Sequence, residues 1–294
     1  MLFDFKNVKR GSYKFMKSVS IGSLKFGGKD EKSIENGSFP IIAGPCSIEG
    51  KDHYLHTGKF LKDLGIQVLR GGIYKARTNP HSFQGIRESA LEWLPQTKKD
   101  LGLPLVSEVN DPRQIEVLDS FIDAYQVGTR NMFNYELLKE LGKTRKPVIL
   151  KRGFSALIKE WLLAAEYLVQ AGNEEIILCE RGIRSFETLT RNTLDLTAVA
   201  YLKQKTHFPV IVDPSHAAGD RDLVIPLAKA SKAVGADGIL VEVHPDPSKA
   251  LSDGDQALDF EGMHQLWLSL QNQKTPTPSL IQSYKNKSEA QIQI

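Results

Sequence analysis

From Phe39 onward the chain alternates short apolar runs with longer amphipathic stretches. Pro40-Ile41-Ile42-Ala43-Gly44 reads as a first strand, with a helix over Lys51–Leu64 behind it. A second strand ends at Arg70, and its helix is predicted over Ile86–Lys99. Pro104–Glu108 is the third strand, and Asp111-Pro112 starts the next helix as N-cap and first-turn proline. Ala124–Val127 is a fourth, weaker strand before a helix near Tyr135–Leu141. After the fifth, Pro147–Leu150, the residues Leu157, Trp161, Ala164, Ala165 and Leu168 share one face of a helix capped by Ser155. Glu175–Cys179, Pro209–Asp213 and Gly238–Val243 are the last three strands. Their helices run from Asp195 to Lys203, through Leu223, Leu227, Ala230 and Val234, and from Gln256 to Leu270. Most of the strands are continuous apolar runs, the mark of a parallel sheet covered on its outer face. Eight βα units over about 235 residues suit an α/β fold of the closed (β/α)8, or TIM, barrel type, and a doubly wound open sheet is the rival.

The flanks differ from this pattern. Residues 1–38 form an extension in which Ser18–Ile21 and Leu24–Phe26 alternate polar and apolar across Gly22-Ser23. That is the pattern of a short β-hairpin with a primed turn, expected to pack on the main body as a cap. Residues 39–271 are the barrel, and 272–294 form a tail rich in Gln, Lys, Ser, Thr and Pro. The 294 residues leave room for a sizeable core, and a net charge of +3 gives no reason to expect nucleic acid or an anionic membrane as partner. No apolar run approaches the roughly eighteen residues of a membrane span, and the N-terminus lacks the apolar core of a secretory signal. The two cysteines, Cys46 and Cys179, make no disulfide framework and suit a reducing compartment. A cytoplasmic protein is expected.

In such a barrel the chemistry gathers where strands pass into the following loops. These positions carry Cys46, then Arg70 and Lys75, then Glu108, Arg130, Lys151 with Arg152, and Arg181. Asp213 with His216, Glu242 with His244, and Asp253 in the loop beyond complete the series. Cys46, His216, Glu242 and Asp253 are a thiol, an imidazole and two carboxylates, a donor set for one divalent transition metal. Taken singly, a strand-end cysteine or a lone histidine also suits an inert core, and Cys179, inside a strand run, is read that way. Arg70, Lys75, Arg130, Lys151 and Arg181 would repel one another unless a strongly anionic ligand belongs among them. A phosphorylated carboxylate has that character, because guanidinium forks grip its oxygens in pairs. Arg77 and Thr78, farther along the glycine-rich loop, are placed for a second phosphate. For that loop alone, a solvated surface segment with incidental charge is the plainer reading.

AGPCSIE at 43–49, LRGGIYKARTNPHSFQG at 69–85, GTRNMFN at 128–134, LKRG at 150–153, DPSHAAG at 213–219 and VEVHPDP at 241–247 resemble 3-deoxy-D-arabino-heptulosonate-7-phosphate (DAHP) synthases. The resemblance spans about Pro40 to Leu270 and is to the branch near 3-deoxy-D-manno-octulosonate-8-phosphate (KDO8P) synthase. It implies a metal-dependent transferase that condenses phosphoenolpyruvate with erythrose 4-phosphate, the first step of the shikimate pathway. The metal, one of Mn, Zn, Fe or Co, would be held by Cys46, His216, Glu242 and Asp253 and would polarise the aldehyde. Arg70, Lys75, Arg130, Lys151 and Arg181 match the phosphoenolpyruvate clamp, Arg77 and Thr78 the aldose phosphate site, and Asp213 lies in a matched substrate-binding motif. Lys75 is expected as proton donor, with Glu108 or His244 handling water. A homotetramer or homodimer is implied. The extension is shorter than the ferredoxin-like regulatory domain of some relatives, and no segment has room for a fused chorismate mutase. Two alternatives stand: KDO8P synthase acting on arabinose 5-phosphate, and a non-catalytic anion-binding barrel.

Overall fold

The apolar runs become strands. In the computed structural model, which describes residues 17–28 and 39–271, a two-stranded hairpin precedes a closed barrel of eight parallel strands. The hairpin is β1 (Ser18–Ile21) and β2 (Leu24–Gly27). In the barrel, β3 (Ile41–Gly44) is followed by α1 (Lys51–Asp63), and β4 (Val68–Arg70) by α2 (Leu94–Leu101). Next come β5 (Leu105–Val109) and α3 (Arg113–Asp119), then β6 (Ala124–Val127) and α4 (Tyr135–Gly142). β7 (Val148–Lys151) leads to α5 (Ile158–Gln170), and β8 (Ile176–Glu180) to α6 (Leu196–Lys205). β9 (Val210–Val212) is followed by the short α7 (Pro214–Ala218) and by α8 (Val224–Ala233). β10 (Gly238–Glu242) closes on β3, and α9 (Phe260–Gln271) ends the described chain. No helix among the described residues is long and apolar enough to cross a membrane. The tail 272–294 and most of the extension lie outside the described residues.

Three local predictions shift. The helix expected over Ile86–Lys99 divides into a 3-10 turn at Arg87–Ala90 and α2, because Pro95 fits only the first turn of a helix. Ser155 does not cap α5. The helix starts at Ile158, and Glu160 Oε2 accepts the Leu157 N–H at 2.8 Å. The last helix begins at Phe260 rather than Gln256, which belongs to a separate 3-10 turn, Gly254–Gln256.

The hairpin is built into the barrel. Val19, Ile21, Leu24 and Phe26 form one buried cluster with Ile42, Val68, Val106, Ala124, Ile149, Ile177, Cys179, Ile211 and Leu240, so that every barrel strand contributes. The hairpin fills the space beneath these buried barrel positions. Its turn meets the strand-leading residues at that end: a Cβ on Gly22 would lie 2.3 Å from Pro104 Cγ, and Gly22 has φ 58°, so only glycine fits. The floor is thus plugged and the opposite end is left for chemistry. Truncating the plug has a predictable effect. Phe26→Ala is expected to lower the unfolding free energy by about 3–5 kcal/mol, the usual range for a buried phenylalanine, while leaving substrate KM values unchanged. Urea unfolding measures it, and a loss below about 1 kcal/mol would mean that the hairpin lies outside the cooperative core.

Candidate active site

At the open end the strand-terminal side chains surround a cavity of about 220 Å³. Six basic side chains line it, Lys75, Arg77, Arg130, Lys151, Arg181 and Arg191, against two carboxylates, Glu108 and Asp253. Such an excess of positive charge is sustainable only opposite an anion. Phe154 helps to collect it: the guanidinium groups of Arg130, Arg181 and Arg184 stand 5.5, 4.9 and 4.7 Å from its ring centre. Arg181 is buried, yet among the described residues its Nε and Nη1 have no hydrogen-bond partner, and Nη2 donates to His216 O at 3.0 Å. Burial, only partly offset by Asp213, pushes this guanidinium below its ordinary value. Two buried, unsatisfied N–H groups beside a polar cavity are the feature expected of a carboxylate or phosphate site.

Beside the cavity, ligating atoms of Cys46, His216, Glu242 and Asp253 all lie within 4.8 Å of one another. Each is positioned by the fold. Cys46 follows β3, Glu242 ends β10, and His216 sits on α7, whose N-cap Asp213 accepts the His216 N–H at 2.9 Å. Asp213 Oδ2 also lies 2.7 Å from His216 Nδ1, which leaves Nε2 toward Glu242 Oε1 at 3.3 Å. Asp253 has φ 54°, a left-handed conformation costing of order 1 kcal/mol, and its carboxylate is held on several sides. Cys46 Sγ donates to it at 3.0 Å, Arg191 Nη1 at 3.0 Å, and Lys75 Nζ and Arg77 Nη1 pair with it at 3.3 and 3.6 Å.

The electrostatics suit a cation. Burial alone would raise both Glu242 and Asp253, but His216 with Arg70 for the first, and Lys75 with His216 for the second, hold both carboxyls below their ordinary values. Burial lowers His216 despite Asp213 and Glu242, so the ring offers a lone pair. Burial, reinforced by Glu242, pushes the Cys46 thiol up, and Lys75 Nζ, 2.7 Å from Sγ, pulls the other way. One soft sulfur, one imidazole and two anionic carboxylates fit a divalent transition metal, and the Asp213–His216 pair is the outer carboxylate that orients such a ligand.

The structure brings most of the sequence-predicted residues together, with three exceptions. Arg70 is not on the cavity wall: its Nη1 pairs with Glu242 Oε1 at 2.6 Å, and its Nε is buried without a partner among the described residues. Asp213, read as substrate-binding, is fully buried and engaged by His216 and by Lys151 Nζ at 2.5 Å. His244, read as a handler of water, does not reach the cavity: Nδ1 accepts the Asp246 N–H at 3.0 Å and Nε2 faces Glu49 Oε2 at 3.3 Å. Glu108 does line the cavity, and it fits because residue 128 is glycine, where a Cβ would lie 2.2 Å from Glu108 Oε1. Arg77 and Thr78 also line it, and Thr78 Oγ1 accepts from Arg130 Nη2 at 3.2 Å.

Sequence reading missed Arg191 and Gln256. Arg191 Nη1 donates to Gln256 Oε1 at 2.6 Å, and Gln256 Nε2 to Glu242 Oε2 at 2.5 Å, so the two residues link Asp253 to Glu242. Neither stands at a strand end, and no signal in the sequence marks them.

Residues 24–277 match the DAHP synthetase I family. The phospho-2-dehydro-3-deoxyheptonate aldolase of Thermotoga maritima is 49% identical over 261 residues, 89% of this chain and 75% of that protein. A 2-dehydro-3-deoxyphosphooctonate aldolase of Legionella pneumophila is 31% identical over 250 residues, 78% of this chain and 89% of that one. The crystal structure of the T. maritima DAHP synthase superposes with a TM-score of 0.83 at 48% identity, covering 92% of this chain and 77% of that chain. A truncated form of the T. maritima 3-deoxy-D-arabino-heptulosonate 7-phosphate synthase gives a TM-score of 0.79 at 45% identity, over 90% and 94% of the two chains.

Proposed function

The chain belongs to the DAHP synthetase I family, and on that footing we propose that it condenses phosphoenolpyruvate with erythrose 4-phosphate, giving DAHP and inorganic phosphate. The observation that carries this reading is the cavity itself, where a basic wall meets a compact S/N/O/O donor set at one end of a plugged barrel. Lys151, Arg130 and Arg181 supply the wall, and the unpartnered nitrogens of Arg181 take the phosphate or carboxylate of phosphoenolpyruvate. Arg77 and Thr78 take the phosphate of the aldose, and the Thr78–Arg130 hydrogen bond sets the two subsites side by side. Proximity of two anionic substrates, each neutralised, is the first requirement for joining them.

Cys46, His216, Glu242 and Asp253 would hold a divalent ion, which when bound supplies a Lewis acid for the aldehyde oxygen. Lys75 carries the proton. Burial alone would depress its ammonium, but Cys46, Glu108 and Asp253 outweigh that and hold it above its ordinary value, so it is charged when substrate arrives. From its place beside Cys46 and Asp253 it delivers that proton to the new hydroxyl. Glu108, facing the same cavity, orients the water that adds to the former enol carbon. Collapse of the resulting hemiketal phosphate releases inorganic phosphate. We also propose that the protein works in the cytoplasm as a homodimer or homotetramer, which light scattering tests.

Phosphate release separates the catalytic reading from a non-catalytic barrel, and the choice of aldose separates it from KDO8P synthesis. The Ala76-Arg77-Thr78 edge stands close to the donor cluster, with Arg77 Nη1 3.6 Å from Asp253. That leaves room for a four-carbon sugar phosphate, and arabinose 5-phosphate would set its phosphate one carbon too far out. kcat/KM is expected to favour erythrose 4-phosphate at least about tenfold, or about 1.4 kcal/mol. Arg77→Ala should raise KM for the aldose far more than KM for phosphoenolpyruvate. Equal or reversed aldose preference would move the assignment to the sister activity.

A further inference from the structure

Away from the cavity, the loops after β3 and β10 gather a second set of donors. Glu49 follows Cys46 closely in sequence, His53 lies in the first turn of α1, and His244 lies just past Glu242. One ligating atom of each lies within 4.8 Å of the other two, and none of the three lines the cavity. Their contacts are uneven. Glu49 Oε1 accepts the Leu251 N–H at 2.8 Å, while Oε2 faces His244 Nε2 at 3.3 Å. His53 stands apart: both of its ring nitrogens are buried and neither has a hydrogen-bond partner among the described residues. Its ring centre is 4.4 Å from that of His244, tilted by 35°.

Leaving a buried donor or acceptor unsatisfied costs about 1–3 kcal/mol, so such a group in a native fold calls for an explanation. Two packed imidazoles filling space would need no carboxylate against them, yet Glu49 is there. A Glu49–His244 pair accounts for those two side chains and leaves His53 unexplained. A bound cation accounts for all three. Donor chemistry then narrows the ion: two imidazoles and a carboxylate suit Zn²⁺, Co²⁺, Ni²⁺ or Cu²⁺, whereas Mg²⁺ and Ca²⁺ take oxygen donors.

We propose that Glu49, His53 and His244 form a second divalent transition-metal site, separate from the Cys46 set, which ties loop 244–253 to the loop after β3. That loop ends on Asp253, so an ion held here braces one member of the first donor set from outside the cavity. Uptake has a definite proton balance. His244 Nδ1 accepts the Asp246 N–H, so the neutral ring carries its proton on Nε2, facing Glu49. The ion takes Nε2, that proton passes to solvent and solvent returns one to Nδ1, so the ring stays neutral with no net proton released, and the Asp246 peptide N–H turns to another acceptor. With no thiolate and one hydrogen bond given up, this site is the weaker of the two.

Cobalt distinguishes them, because a thiolate ligand gives a sulfur-to-cobalt charge-transfer band in the near ultraviolet and an N/N/O site does not. The full chain, stripped with chelator, is titrated with Co²⁺ while equilibrium dialysis counts the equivalents bound. Two equivalents are expected, the tighter one with the band and the weaker one without it. His53→Gln should keep the band and weaken the second equivalent at least tenfold, with circular dichroism confirming its fold. Cys46→Ser should lose the band and keep one equivalent, which tests the site with His53 in place should His53→Gln fail to fold. One equivalent in the parent, none in Cys46→Ser, or an unchanged second equivalent in His53→Gln would each overturn the proposal. Absence of the band in the parent would count against the Cys46 site alone, so the two readings fail separately.

Discussion

Cys46→Ala is expected to lower kcat/KM by at least about 10³-fold, some 4 kcal/mol in the transition state, while the unfolding midpoint stays close to that of the parent. The asymmetry follows from what the sulfur touches. It contacts Lys75 Nζ at 2.7 Å and Asp253 Oδ2 at 3.0 Å, and those two groups remain 3.3 Å apart without it. Neither becomes an isolated buried charge, so the fold loses little more than one sulfur's worth of packing. The donor set, by contrast, loses its one soft ligand and keeps only His216, Glu242 and Asp253. The pH dependence adds a second check. Burial and Glu242 push the thiol up, so near neutral pH it is protonated and must release its proton to bind a metal. Metal affinity of the parent should therefore fall as pH falls, about tenfold per unit from this group, and Cys46→Ala should lose that share of the slope. Calorimetric titration with Zn²⁺ at two pH values measures both. Undiminished turnover in Cys46→Ala, or in the chelated parent, would contradict the assigned role.

The barrel was legible because burial on both faces forces parallel strands to be apolar throughout. Runs such as VLR at 68–70, VILK at 148–151 and GILVE at 238–242 are free of polar residues until their last position, and that position, or the one just after the strand, then stands out. This contrast made Lys151, Arg181 and Glu242 readable as candidate site residues. The same rule read Arg70 and Asp213 as substrate-binding and His244 as a handler of water, and none of the three lines the cavity. A strand end fixes which end of the barrel a side chain occupies, and not whether it meets the cavity or the residues around it. Asp213 is drawn off by the N-terminus of α7 and by His216, and Arg70 by Glu242. Arg191 and Gln256 were illegible for the converse reason. They reach Asp253 and Glu242 from loop positions set by tertiary contacts, as in the hydrogen bonds of Arg191 N to Ala218 O and of Asn192 N to Ala217 O, which hold loop 191–193 against α7. The hairpin was readable from its alternation. Its packing on the main body as a cap was expected as well, since the apolar face of so small a piece needs cover, and the structure finds that cover at the barrel floor.

Arg181→Met should separate stability from activity, raising one while removing the other. A buried guanidinium pushed below its ordinary value is held at a cost at every pH where it stays charged, and for arginine that includes the whole working range. Phe154 and Asp213 offset part of that cost, and the unpartnered Nε and Nη1 show that much of it remains. Methionine fills a similar volume without the charge. Its one structural debit is the hydrogen bond to His216 O, and that carbonyl keeps the Asn192 Nδ2 donor at 3.1 Å. Replacing buried charge by an apolar side chain of similar size is commonly neutral or stabilising, so Arg181→Met is expected to gain about 1 kcal/mol in unfolding free energy. Turnover should move the other way. Losing a charge-assisted pair with a bound anion costs about 2–5 kcal/mol, which predicts a fall of roughly 30- to 5,000-fold in kcat/KM for phosphoenolpyruvate. KM for the aldose should change much less, because Arg77 and Thr78 are untouched. Urea unfolding and steady-state kinetics on the same preparation supply both numbers. A variant that is less stable and still turns over normally would show that Arg181 serves the fold instead of the anion.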